Sequence, residues 1–230
     1  MNVTLFFSIF YSMMGIEALV LIPFLLNYKS LDFSARCMFF YILSCIVFAG
    51  GSVLVERYIG NNMWFFSLMH FIQFVTLSIF YYRSIHNPTM KAIIKYMPFL
   101  ILAIFIFDLF FIEGVRAFNS ISSGVKQLVV FSYGLYLFLQ LLKDRTLIEK
   151  SIYIDSLPIF WYNSGVFIFA CTEFLFCISY NHLQTLFTTG VARLGMTVAI
   201  LSINYIVGMI SMILLYIGFS KIKKLKHANY

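Results

Sequence analysis

Residues Ser156–Phe176 read SLPIFWYNSGVFIFACTEFLF, an apolar run with one charged residue, Glu173. At 1.5 Å of rise per residue, such a run is long enough as a helix to cross a hydrocarbon core about 30 Å thick. Runs of the same kind recur along the whole chain, which predicts seven spans: Leu5–Leu26, Cys37–Val55, Met63–Tyr82, Met97–Ile112, Ile121–Leu142, Pro158–Tyr180 and Leu194–Phe219. The fourth reaches back to Ile93 if Lys95 extends its ammonium into the headgroups. The expected fold is an all-α integral membrane protein, a seven-transmembrane helix bundle.

Composition agrees. Of 230 residues, 62% are hydrophobic and only 11% charged, too few to coat a water-facing surface. The expected organisation is a transmembrane domain over residues 1–220 and a basic tail over 221–230. The first run has no basic residue before it and no small-residue cleavage pattern after it, so it is expected to stay as a span. The net charge of +7 is spread over short loops, which argues against nucleic acid, whose readers concentrate charge on one face. The four cysteines, Cys37, Cys45, Cys171 and Cys177, show no paired metal-ligand spacing and read as packing residues.

Loop charge gives an orientation. The loops after spans one, three and five, with the tail, hold twelve Lys and Arg residues, against three in the N-terminus and the other loops. Cytoplasmic loops carry the excess of positive charge, so the N-terminus is expected outside and the tail in the cytoplasm. Anionic lipids on that leaflet suit the tail sequence KIKKLKH. In the connection before span six, Lys143–Ser156, charges of both signs alternate with Ile148, Ile152 and Ile154, which suggests a short interfacial helix. Asp155 or Ser156 is expected to cap span six, and Pro158 suits its first turn.

Polar residues inside spans are costly and mark candidate sites. Counted from the outer surface, Asp108 lies about 6 Å deep, Lys126 about 8 Å, and His70 and Glu173 about 10 Å. By the same rise, Gln73 and Asn204 lie near 15 Å and Glu17 near 18 Å. Four ionisable groups from four different spans, Asp108, Lys126, His70 and Glu173, thus gather in one band of the outer half. A helical wheel of span six puts Tyr162, Val166, Phe169, Glu173, Cys177 and Tyr180 on one face, with Phe167, Phe174 and Leu175 toward lipid. Lys126 is expected to pair with Glu173 or Asp108, and His70 to bond the remaining carboxylate. Asp108 and Lys126 are also shallow enough to snorkel. The candidate ligand-binding residues are Glu173, Lys126, His70, Asp108, Gln73, Tyr162, Glu17 and Asn204. Gly15, Gly50, Gly51, Gly134, Gly165 and Gly208 read as close helix contacts.

Several chemistries lack their residues. The seventh span has no lysine to form a retinal Schiff base, and His70 is the one histidine well inside a span, too few for a zinc hydrolase site. With no serine–histidine pairing or phosphate-cradling loop visible, neither an enzyme nor a cofactor or metal site is expected.

The stretch LPIFWYNSGVFIF, Leu157–Phe169, resembles a Pro-x-Phe-Trp-x-x-x-Gly-x-x-x-Tyr/Phe pattern of seven-transmembrane membrane proteins of Bacteroidota. The matching residues are Pro158, Phe160, Trp161, Gly165 and Phe169. In that group, similar spans occur fused to, or encoded beside, sensor histidine kinases. The resemblance implies a membrane sensing module of the inner membrane that signals through a partner, a sensor histidine kinase or other signalling protein, since no kinase region follows the spans. The expected function is a receptor-like module whose outer-half pocket takes a small polar or amphipathic ligand. The alternative is a small solute transporter or proton-coupled carrier on a three-plus-one-plus-three helix plan, for which Phe39-Phe40-Tyr41 would correspond to Phe160-Trp161-Tyr162. A third reading is an assembly subunit whose polar groups meet a partner's helices.

Overall fold

The computed structural model describes residues 3–114, 118–149, 152–186 and 190–228. Helices α1 (Val3–Leu26), α2 (Phe33–Ile59), α3 (Met63–Ser84) and α4 (Pro88–Phe107) are followed by one π-helical turn at Asp108–Ile112. Then come α5 (Ser120–Leu142), the five-residue α6 (Arg145–Glu149), α7 (Pro158–Leu186) and α8 (Gly190–Ala228). Seven of these are long and apolar enough to cross a membrane, and among the described residues no strand occurs. The fold is an all-α seven-helix bundle.

Local chemistry sets the helix ends. Asp32 starts α2 by accepting from the Ala35 amide at 3.2 Å, and Gly60 ends it in the left-handed region at φ 78°, a conformation glycine adopts without steric cost. Asn87 accepts from the amides of Thr89 and Met90, and Pro88 occupies the first position of α4, where its missing N–H is not needed. The segment before α7 differs from expectation. The Ser156 hydroxyl donates to Tyr153 O at 2.6 Å, inside a 3-10 turn at Ile154–Ser156. Trp161 then ties the turn to α7, donating from its indole N–H to Asp155 O at 2.7 Å. The expected interfacial helix is the single short α6. Toward the other end, α8 continues as helix past its apolar part, through the basic tail to Ala228.

Six helices pack in a ring, in the order α1, α2, α3, α5, α7, α8, with α8 closing onto α1. The remaining helix, α4, leans on the outside of α3 and α5. Large apolar side chains such as Leu19, Leu26, Phe99, Phe111 and Leu175 cover the outside, as hydrocarbon surroundings allow. Small residues let the ring close. A methyl group on Gly165 would sit 2.9 Å from Ser211 O on α8, and one on Gly134 would sit 2.9 Å from the Phe167 ring. Gly51 and Gly208 make similar close approaches, to Phe65 and Met13, whereas Gly15 and Gly50 face open space. Phe167 also departs from its expected place toward lipid: it stacks on Phe131 of α5, with ring centres 4.9 Å apart.

Candidate functional site

The ring encloses a charged cluster contributed by three helices. From α5, the Lys126 ammonium lies 2.6 Å from His70 Nδ1 of α3 and 3.6 Å from Glu173 Oε1 of α7. Gln127, the next residue on α5, donates from its side-chain amide to Glu173 Oε2. Lys126 is 2% exposed and Glu173 4%. Lysine therefore does not snorkel: its charge is matched inside the bundle, as the high cost of a lone ion there demands.

Donor counting fixes the arrangement. His70 Nδ1 also lies 3.1 Å from Glu173 Oε1, but one ring nitrogen cannot accept from the ammonium and donate to the carboxylate together. A proton on Nδ1 would face the ammonium 2.6 Å away. Nδ1 is thus the acceptor, the histidine is neutral with its proton on Nε2, and Lys126 serves both neighbours. One cation and one anion remain, so the cluster has no net charge. The expectation that Lys126 pairs with Glu173 holds in this geometry, and His70 turns to the same pair rather than to a second carboxylate.

Aromatic rings close the cluster on one side, Phe48 and Phe66 lying 5.2 and 6.3 Å from the His70 ring. On the other side is a cavity of about 10 Å³, lined by Tyr41, Gln73, Lys126, Gln127 and Glu173 among polar groups and by Phe74, Val130 and Phe169 among apolar ones. That space suits about one water molecule, far below the few hundred Å³ of a small-molecule site. Gln73 reaches from α3 to Cys45 Sγ of α2 at 3.6 Å, linking a fourth helix to the cavity wall.

Two to three turns away, toward the C-terminal ends of α3 and α5 and the N-terminal end of α7, a second polar group joins the same three helices. The Tyr81 hydroxyl donates to Asn163 Oδ1 at 2.9 Å, and Asn163 Nδ2 donates to Gly134 O at 2.9 Å. Leu77, Val130 and Val166, all buried, separate the two groups. The sequence reading missed this node. Its signal was present: an asparagine within an apolar run, with a tyrosine and a glycine at matching depth on two other spans.

The remaining candidates lie elsewhere. Asp108 is 1% exposed and accepts from the Ser122 amide at 3.0 Å, capping the start of α5 outside the cavity. Tyr162 packs edge-on to Gly218 of α8 and beside Phe24 of α1, away from Glu173. Glu17 is 3% exposed, on α1, with Tyr41 and Cys45 of α2 and Tyr205 of α8 as its electrostatic neighbours. Asn204 is half-buried on α8, its Oδ1 without a hydrogen bond among the described residues. On the predicted inward face of α7, Tyr162, Val166, Glu173 and Cys177 are buried, while the Tyr180 side chain lies outside the described residues. The structure therefore brings together Glu173, Lys126, His70 and Gln73, adds Gln127 and Tyr41, and sets Asp108, Tyr162 and Asn204 apart.

Fold and site together define a seven-helix bundle, apolar enough for a bilayer, with a closed and charge-neutral ion pair in its interior. No protein-family model, curated protein or solved structure matches the chain.

Proposed function

We propose that the chain is a receptor-like module of the cell inner membrane, with its N-terminus outside, in which the Lys126–Glu173–His70 cluster is the responsive element. The observation that carries this reading is a buried ion pair spanning α3, α5 and α7 beside a cavity fit for about one water. A buried pair adds little net stability over an apolar core, so its presence argues for a role in switching. A small polar or amphipathic ligand offering charge or hydrogen bonds to Glu173 or Lys126 would compete with the pair. Admitting it requires α3, α5 and α7 to part, because the cavity is too small. The displacement would pass along α5 and α7 into the Lys143–Ser156 connection that joins them, where a partner such as a sensor histidine kinase would read it. The test is a thermal-shift screen of the purified chain against small polar and amphipathic compounds. Shifts should disappear in Glu173→Gln and Lys126→Met; shifts that survive both substitutions would refute the reading.

One observation favours a carrier instead. The Tyr81–Asn163 node lies two to three helical turns from the charged cluster, beyond buried Leu77, Val130 and Val166, so wetting that apolar stretch would join two polar stations. The carrier reading predicts proton flux in reconstituted vesicles that is lost in Glu17→Gln. The receptor reading predicts no flux.

A further inference from the structure

Apart from the charged cluster, a cleft opens where the turn joining α3 to α4 meets the C-terminal end of α5. We propose that it is a binding site for the phosphate headgroup of an anionic phospholipid. Its volume is about 410 Å³, and His86, Tyr136, Leu139, Gln140, Lys143 and Asp144 line it. That volume falls in the range of small-molecule sites, whereas the space beside Glu173 suits about one water.

Hydrogen bonds fix its wall. Gln140 of α5 accepts from the His86 backbone N–H at 2.7 Å and donates from its side-chain amide to Ser84 O at 3.1 Å. Ser84 and Ile85 are buried, so the turn is anchored against α5 and His86, the next residue, is held in the lining. With Gln140 committed to backbone, the cleft offers a ligand the Lys143 ammonium, the Tyr136 hydroxyl and a ring N–H of His86. None of these three side chains makes a hydrogen bond or ion pair among the described residues. Asp144, the acid in the lining, has a partner of its own.

Charge and position select the ligand. Residues 83–95 and 143–149, which flank the cleft, hold five Lys and Arg residues against two acids, a balance that favours an anion. Lys91 and Lys95 rest on the Tyr82 and Tyr96 rings, 5.8 and 5.6 Å from their centres. Aromatic rings and long cations gather in this way at a membrane interface. Leu139 of the lining, with Leu135 and Leu142 beside it on α5, exposes apolar surface. A phospholipid satisfies both halves of the cleft: its phosphate accepts from Lys143, Tyr136 and His86, and its acyl chains lie along the leucines. Basic pockets beside spanning helices recognise anionic headgroups in this manner. A free phosphate would use the donors and leave the leucines uncovered.

The test uses the full chain, purified in a nonionic detergent and stripped of lipid, with lipid returned in mixed micelles. Dioleoyl phosphatidylglycerol at a hundredfold excess over Kd should raise Tm by about 5 °C, and native mass spectrometry should find one such lipid retained per chain. Dioleoyl phosphatidylcholine, with the same chains and phosphate but no net charge, should shift Tm far less, and inorganic phosphate should leave it unchanged. His86 and Lys143 are exposed, so the combined His86→Ala, Lys143→Gln variant should fold and lose the response. Lys95→Gln, which removes one charge outside the lining, should keep it. An equal shift with phosphatidylcholine, or a full shift with inorganic phosphate, overturns the site. So does a response that survives the combined variant, or one lost equally in Lys95→Gln.

Discussion

At the scale of single residues, the interior of this bundle separates two kinds of polar contact. Asn163 satisfies the Tyr81 hydroxyl and the Gly134 carbonyl with neutral hydrogen bonds, whereas Lys126 and Glu173 neutralise each other's charge. Interhelical hydrogen bonds in membrane bundles contribute about 0.6 kcal/mol each on average, while removing one partner of a buried ion pair costs about 3–5 kcal/mol. Asn163→Ala is therefore expected to lower stability by about 1–2 kcal/mol in denaturant titrations in detergent. Lys126→Met should lower it by more than Asn163→Ala does, since it leaves Glu173 buried without a counter-ion. Gly134→Ala adds a methyl 3.3 Å from both Asn163 Oδ1 and Tyr81 Oη. A cost of about 1–3 kcal/mol is expected from that overcrowding, measured in the same titration.

Between elements, the most extensive seam joins α7 to α8. A side chain at Gly165 meets backbone, Ser211 O, which cannot rotate away as the Phe65 ring opposite Gly51 can. Gly165→Leu should therefore separate the two helices, lowering Tm well beyond the effect of Gly15→Leu, where open space surrounds the glycine. Trp161 links the N-terminal turn of α7 to the C-terminal part of α8, Lys221 Nζ lying 5.9 Å from its ring centre while its N–H holds Asp155 O. Helix number, type and approximate length were legible from the apolar runs, because hydrocarbon thickness dictates them. Helix ends were less legible: α2 begins at Phe33 rather than Cys37 because Asp32 caps it, and α7 and α8 continue beyond their apolar parts. Periodicity turned Glu173 inward but misjudged Phe167, because a wheel assigns faces without knowing where a neighbour's glycine leaves room for a ring.

For the whole molecule, depth along a span was readable while lateral position was not. His70, Lys126 and Glu173 share a depth and meet; Asp108 shares the band but sits in the π-helical turn that continues α4, the one spanning helix outside the ring, so it reaches only the start of α5. Sequence alone carries no helix order, and depth without order cannot say which charges pair. The Tyr81–Asn163 node shows the same limit from the other side, since neither residue is charged at neutral pH and its signal lies only in the matching depth of residues on three spans. Orientation rests on the twelve-to-three distribution of Lys and Arg. In a background with the four cysteines replaced, a cysteine added after Tyr230 should react with a membrane-impermeant reagent only after cell permeabilisation. One added before Thr4 should react in intact cells.

The central claim is that Lys126 and Glu173 form one coupled, charge-neutral unit inside the ring. A double-mutant cycle on purified protein tests it most directly, comparing Lys126→Met, Glu173→Gln and the double variant by equilibrium unfolding. Each single change leaves an unmatched buried group, so the double variant should recover at least about 1 kcal/mol relative to the sum of the singles. Strict additivity, with the double variant as unstable as that sum, would contradict it.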